Sequence, residues 1–223
     1  MDNNFKNPLI ELKNITVSYP ERGKVLDNLS LSISEKDRIG IKGANGSGKT
    51  SLLYTIVGLV KIEKGEIKIF GKKMEKESDF VEVRKKIGFL FQDSDDQLFS
   101  PTVEEDIAFG PLNLRLPKEE VKERVERTIK LLGIENLKHR FSHTLSYGEK
   151  RIVAIATILS MEPEIYLLDE PTTGLDEKTS QIIEKFLIQN NLTYLMVSHD
   201  INFLERVCNK IYLLENGSLL SIK

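Results

Sequence analysis

"RIGIKGANGSGKTSLLYTIV", residues 38–57, decides the fold. Arg38 to Ile41 is a short apolar strand pattern that runs directly into a glycine-rich loop. Thr50 to Val60 then carries helix-compatible residues with Gly58 as its one breaker. The loop itself, GANGSGKT at 43–50, has the spacing G-x-x-x-x-G-K-[ST]. Glycines let the backbone wrap a phosphate so that several N–H groups point inward, and the helix beginning there adds its positive dipole end. Lys49 is placed to reach the outer phosphates, and the Thr50 hydroxyl to ligate Mg2+. A glycine-rich turn with an incidental lysine would need neither a strand before it nor a helix after it. Gly43, Ala44, Asn45, Gly46, Ser47, Gly48, Lys49 and Thr50, with Ser51 next in the helix, are therefore the candidate nucleotide-binding residues.

Three further strand ends carry polar residues. In "IYLLDE", residues 165–170, an apolar strand ends in two acids. Such a strand presents ligands at its C-terminal edge when it belongs to a parallel sheet. Asp169 is placed there to hold Mg2+ through water and Glu170 to polarise an attacking water as general base; the plain alternative is an acidic turn ahead of Pro171. "VSHD", 197–200, repeats the pattern and makes His199 a candidate, although a lone histidine is more often structural. Gln92 closes the apolar run Ile87 to Phe91, within reach of a metal or water. Finally, "LSYGEKRIVAIA", 145–156, places Ser146 and Glu149 at capping-box spacing ahead of a helix from Gly148 to Leu159.

Around these motifs the early chain is strand-rich: Ile10–Val17 alternates, Leu29–Ile33 follows, and Gly65–Phe70 alternates again. Lys72–Glu77 reads as charged, solvated surface. Pro117–Leu132 carries Val121, Val125, Ile129 and Leu132 on one helical face and ends at Gly133. Residues 134–144 read as loop. Later come a helix at 176–189, a strand at 193–197, a helix at 201–207 and a hairpin at 211–220 about Asn216-Gly217. This order predicts a mostly parallel sheet flanked by helices, with antiparallel additions and a helical insert. A net charge of −2 offers no basic footprint for nucleic acid. The single cysteine, Cys208, excludes an internal disulfide framework and fits a reducing compartment. The N-terminal MDNNFKNPLIELK has no long apolar leader pattern, and the most apolar run, Ile152–Leu159, is far short of the ~20 residues that span a bilayer.

Taken in order, these residues resemble one family, the ATP-binding subunits of ABC transporters, over nearly the whole chain. Tyr19 in VSYP is similar to the aromatic that stacks on adenine. GANGSGKT matches the P-loop and Gln92 the Q-loop. LSYGE matches the signature motif, usually LSGGQ. IYLLDE ends in the Walker B aspartate and the catalytic glutamate, Gly174-Leu175-Asp176 matches the D-loop, and His199 the switch histidine. The resemblance implies a single ABC ATPase domain over 1–223, of class α/β. Its core would be a P-loop NTPase-type, mostly parallel sheet with an antiparallel β subdomain (about 1–92 and 162–223), and its Q-loop and helical signature-motif subdomain would span about 93–161. It implies ATP and Mg2+, the ion held by Thr50, Gln92 and Asp169, with Glu170, His199, Lys49 and Gln92 catalytic. It also implies a head-to-tail dimer, with itself or a sister ATPase, in which Ser146 and Gly148 reach the nucleotide of the other subunit. Tyr147 and Glu149 then stand as tolerated variants, provided that Glu149 turns back to the Ser146 amide.

Residues 91–114, FQDSDDQLFSPTVEEDIAFGPLNL, resemble more narrowly the Q-loop segment of energy-coupling factor importers, including cobalt and nickel transporters, which usually have proline where Ser94 stands. The expected place is peripheral, on the cytoplasmic side of the cell membrane, with an integral membrane subunit docking near Gln92–Asp106. There Asp93, Asp95, Asp96, Glu104, Glu105 and Asp106 read as an acidic cluster for basic coupling helices, or as an ordinary solvated face with a Thr102 helix cap. The rival readings are a soluble non-transport ABC ATPase, an exporter subunit and a regulatory module that does not hydrolyse ATP.

Overall fold

The computed structural model describes residues 8–223, so the first seven residues of the N-terminal stretch lie outside it. The chain forms two units, one of residues up to 84 with 192–223 and one of residues 85–191. The cuts differ from 92/93 and 161/162 because the strands Ile87–Leu90 and Ile165–Asp169 pair with each other inside the second unit.

In the first unit, β1 (Ile10–Tyr19) pairs antiparallel with β2 (Gly23–Ile33) and β4 (Lys64–Ile69), and β5 (Lys72–Lys73) extends the order to β2-β1-β4-β5. Strict alternation from Ile10 and Leu12 would turn Asn14 inward. Instead, Asn14 takes a positive φ of 50° and the register shifts there, which brings Ile15 and Val17 into the core at 0% exposure. A second set of strands carries the glycine loop. β3 (Arg38–Lys42) lies between β8 (Tyr194–Val197) and β9 (Lys210–Glu215), parallel to both, and β9 turns through Asn216-Gly217 into β10 (Ser218–Ser221). Both turn residues have positive φ, as a two-residue hairpin of this hand requires. Ile39 and Ile41 are wholly buried, as expected of a central parallel strand.

Two helices here depart from the sequence expectation. α1 (Lys49–Ile56) stops before Val60 because Gly58, at φ 74°, ends it. A Cβ at Gly58 would come within 2.5 Å of the Phe80 ring, which belongs to an unforeseen helix, α2 (Glu77–Arg84). Arg84 Nε donates to the Val57 carbonyl at 2.7 Å, so α2 also satisfies the end of α1. Lys72–Glu77 is exposed as expected except for Met74, which is buried. α7 (Ile201–Val207) follows β8.

In the second unit, β6 (Ile87–Leu90) and β7 (Ile165–Asp169) run parallel, from Ile87 opposite Ile165 to Leu90 opposite Leu168. Three helices lie between them in sequence, α3 (Val103–Asn113), α4 (Lys118–Leu132) and α5 (Tyr147–Leu159), and α6 (Glu177–Gln189) follows β7. α4 buries Val121, Val125, Ile129 and Leu132 and ends at Gly133 in the left-handed region, as its spacing predicts. Residues 134–144 are a loop with two 3-10 turns, Glu135–Leu137 and Ser142–Thr144. Every residue of α5 from Arg151 to Leu159 is buried, so this helix is covered on all sides. Among the described residues no helix is long and apolar enough to cross a membrane.

Candidate functional site

The first unit presents the glycine loop at the C-terminal end of β3. The loop is tight: a Cβ on Gly43 would stand 2.5 Å from Ser47 Oγ, and Gly48, at φ 103°, would meet Val25 Cγ1 at 2.6 Å. Ser47 N–H donates to the Ala44 carbonyl at 3.1 Å, while Ser47 Oγ is buried without a hydrogen-bond partner among the described residues. α1 then begins with no side-chain cap on its first amides. Lys49, 7% exposed, folds back to donate to the carbonyls of Gly43 at 2.9 Å and Ala44 at 3.2 Å. Uncapped amides, an orphaned hydroxyl and a lysine resting on its own loop make a cradle that fits a phosphate chain. Tyr19, half-buried at the end of β1, shares a hydrogen bond with Ser51 at 3.1 Å, so its ring stands beside the loop. β8 is in register with β3, Val197 opposite Ile41, and Ser198 N–H donates to the Ile41 carbonyl. His199, exposed and two residues beyond Val197, therefore leaves the sheet at the same edge as Gly43.

The second unit gathers Gln92, Asp169 and Glu170 at the C-terminal edge of β6 and β7. Gln92 is exposed; Asp169 and Glu170 are 1% and 7% exposed. Glu170 has φ 47°, a left-handed conformation costing about 1–3 kcal/mol for a residue with a side chain. Thr173 Oγ1 donates to its carboxylate at 3.0 Å. Within this unit Gln92 and Asp169 offer a carboxamide and a carboxylate, and in the first unit Thr50 offers a hydroxyl; each is a hard oxygen donor of the kind that suits Mg2+.

What sequence reasoning missed is Arg151, on α5. Its side chain is fully buried, and its guanidinium donates to five backbone carbonyls. Nε reaches Pro171 at 3.2 Å; Nη1 reaches Phe91 and, at 3.3 Å, Gln92; Nη2 reaches Asp169 and, at 2.8 Å, Glu170. Burial pulls its pKa down to about 10, opposed by Tyr147, Asp169, Glu170 and Asp93, so it stays protonated at neutral pH. The one hint in the sequence is an arginine opening a run that is apolar apart from Thr157, though nothing there names its carbonyl partners.

The start of α5 is built as its spacing predicts. Ser146 caps the helix, with Glu149 N–H donating to its Oγ at 3.3 Å and Ser146 N–H donating to the Glu149 carboxylate at 2.7 Å. That second bond, with Arg140 at 2.7 Å, holds the Glu149 pKa below the ordinary value. Tyr147 occupies the first helical position, so no glycine conformation is required there, and its ring lies over Gly174, where a Cβ would be 3.0 Å away. A Cβ on Gly148 would meet nothing nearer than Thr179 Oγ1 at 3.6 Å, so the chain's own packing does not demand that glycine.

The acidic cluster is largely exposed, as the reading of a solvated face with a Thr102 cap expects: Asp93, Asp95, Asp96 and Glu105 are exposed, and of the six acids Asp106 alone is buried. Asp106 is buried and accepts from Phe99 N–H at 3.1 Å, Ser100 N–H at 2.8 Å and Ser142 Oγ at 2.6 Å. Glu105 closes a capping box with Thr102, Glu104 pairs with Lys138 and His139, Asp95 pairs with Lys150, and Asp93 caps the 3-10 turn Ser94–Asp96. Beside them Phe99 and Phe109 stack edge-to-face at 4.6 Å while remaining 63% and 45% exposed. They line an open groove with Phe89, Phe91 and Met161. Asp106→Ala would strand two amides and a hydroxyl. It is expected to lower stability by about 2–3 kcal/mol, read as a lower urea midpoint at unchanged slope.

A phosphate cradle between a parallel strand and a helix, within an α/β chain, defines a P-loop nucleoside triphosphatase. The profile of the ABC transporter family matches residues 26–173, and the chain belongs to that family of ATPases as an ATP-binding subunit. It is 40% identical over 217 residues to the energy-coupling factor transporter ATP-binding protein EcfA of Methanothermobacter thermautotrophicus, covering 96% of this chain and 70% of that one. CbiO1 of Clostridium perfringens, described as part of the ABC transporter complex CbiONQ, has a similar structure. The TM-score is 0.86 at 33% identity, over 96% of this chain and 88% of that one. A dimeric ATP-binding cassette in a post-hydrolysis state, bound to ADP and Pi, superposes with a TM-score of 0.85 at 30% identity, covering 96% and 98%. The expected fold class and ATPase family hold.

Proposed function

We infer that the chain is the ATP-hydrolysing subunit of an energy-coupling factor type importer, taking cobalt, nickel or a vitamin through its membrane subunits. The observation that carries this is the 40% identity to EcfA along 96% of the chain. The two units act as one cassette, which dimerises with itself or a sister ATPase and sits on the cytoplasmic side of the membrane. In this reading the loop amides and Lys49 take the phosphates, Tyr19 stacks on adenine, and Ser146 and Gly148 serve the nucleotide of the partner subunit. A two-fold dimer of this kind needs both halves on each chain. Glu170 draws the proton from a water attacking the γ-phosphorus as the bond to the bridging oxygen breaks, and Lys49 and His199 stabilise the charge that develops. Mg2+, when bound to Thr50, Gln92 and Asp169, would neutralise phosphate charge.

The membrane subunit docks near Gln92–Asp106, where the apolar groove opens beside the exposed acids. The exposed Phe99–Phe109 pair supports this, since exposed aromatic patches mark interaction sites. The test is affinity purification from membranes with identification of the co-purifying integral proteins. Phe99→Ser with Phe109→Ser is expected to cut their recovery at least tenfold while the ATPase rate of the purified chain is kept. Unchanged recovery would overturn the groove, and purely soluble partners would favour a non-transport ATPase.

A further inference from the structure

The five-carbonyl contact of Arg151 has a functional consequence. Its bonds go to both strand ends that carry the chemistry, Phe91-Gln92 just after β6 and Asp169-Glu170-Pro171 where β7 ends. They also come from the helix whose first turn holds Ser146. Glu170 sits in a left-handed conformation that its own side chain does not favour, and its carbonyl accepts from Arg151 at 2.8 Å and from Thr173 N–H at 3.3 Å. Gln97 adds a second fastening: it accepts from Phe91 N–H at 3.1 Å and donates to Ala154 O and Thr157 Oγ1, both at 2.8 Å and both on α5. A buried cation surrounded by backbone acceptors, rather than paired in one salt bridge with a carboxylate, spends its charge on holding main chain in place.

We propose that Arg151 is a positioning residue for hydrolysis, whose planar guanidinium sets the backbone that aims Gln92 and Glu170 and ties that edge to the helix beginning at Ser146. The geometry explains why the planar fork is needed. A lysine ammonium has three donors radiating from one point and cannot span five carbonyls on two strands. A displacement of α5 at its Ser146 end is thereby carried to Glu170 within the same chain.

This rests on the reading of Glu170 as general base, and the test separates the two. Arg151→Lys keeps a buried cation. It is expected to lower kcat for ATP tenfold or more, leave the KM for ATP within about threefold, and keep the melting midpoint within a few degrees of wild type. Arg151→Met should lower kcat at least as far. In the Glu170→Gln background, Arg151→Lys should slow the residual turnover by less than twofold, because a residue acting through Glu170 has little left to act on. Wild-type kcat in Arg151→Lys would overturn the proposal, since charge alone would then suffice. A full tenfold further loss on top of Glu170→Gln would also overturn it, by making the two effects independent. Collapse of the melting midpoint in both Arg151 variants would assign the guanidinium to folding instead. Wild-type turnover in Glu170→Gln alone would remove the base assignment, a result distinct from all three.

Discussion

Glu170→Gln is expected to slow ATP turnover by about 10²–10⁴-fold, the usual contribution of a positioned general base, and to accumulate ATP-bound dimer. The substitution isolates the proton transfer. Glutamine has the same shape, its carbonyl oxygen still accepts the Thr173 hydroxyl, and its backbone takes the φ of 47° as readily as glutamate does. Folding and ATP binding should therefore be retained. At 1.36 kcal/mol per tenfold, the expected loss is about 3–5 kcal/mol of transition-state stabilisation. Phosphate release measures the rate, and light scattering with Mg2+ and ATP measures the dimer. Turnover at the wild-type rate would take Glu170 out of the base role.

Glu170 and Ser146 were legible in the sequence for different physical reasons. A capping box is a local device: two side chains three residues apart satisfy each other's backbone, so "SYGE" announces itself wherever it folds. The glycine loop is legible by its fixed spacing, although only the approach of Gly43 to Ser47 is local and Gly48 is held by Val25 on β2. Glu170 was legible through position, since an apolar strand ending in two acids must release them at its edge. The elements that escaped are those whose partners lie far along the chain. α2 hides in a charged run because only Phe80 and Val83 mark its inner face, and its purpose is to meet Gly58 and Val57. Most acids of 93–106 do lie at the surface, but the burial of Asp106 was hidden because its partner Ser142 comes from a distant segment. Arg151 drew no reading of its own from the sequence, because the backbone carbonyls it meets leave no trace there. The interaction that ties α5 to both strand ends was therefore the least visible.

Lys49→Ala is expected to remove most of the thermal protection that ATP gives the wild-type chain. The ammonium donates to the Gly43 and Ala44 carbonyls, and the proposed role of Lys49 redirects those donors to the outer phosphates when nucleotide binds. Each charge-assisted bond contributes about 1.5–3 kcal/mol, so losing one or two weakens ATP by roughly a hundredfold. The loop keeps its shape without the lysine, because the Ser47 to Ala44 bond at 3.1 Å and the close approach of Gly43 to Ser47 do not involve it. At ATP a hundred times the wild-type Kd, binding stabilises the chain by about 2.7 kcal/mol. For a chain of this size that raises the melting midpoint by about 5–10 °C. The same ATP gives the variant only about 0.4 kcal/mol, a shift near 1 °C. Differential scanning fluorimetry reads both shifts against ligand-free midpoints that should nearly coincide. Glu170→Gln supplies the control, since it should keep the full shift while losing turnover. A full shift in Lys49→Ala, or a missing one in Glu170→Gln, would exchange the roles of binding lysine and catalytic glutamate.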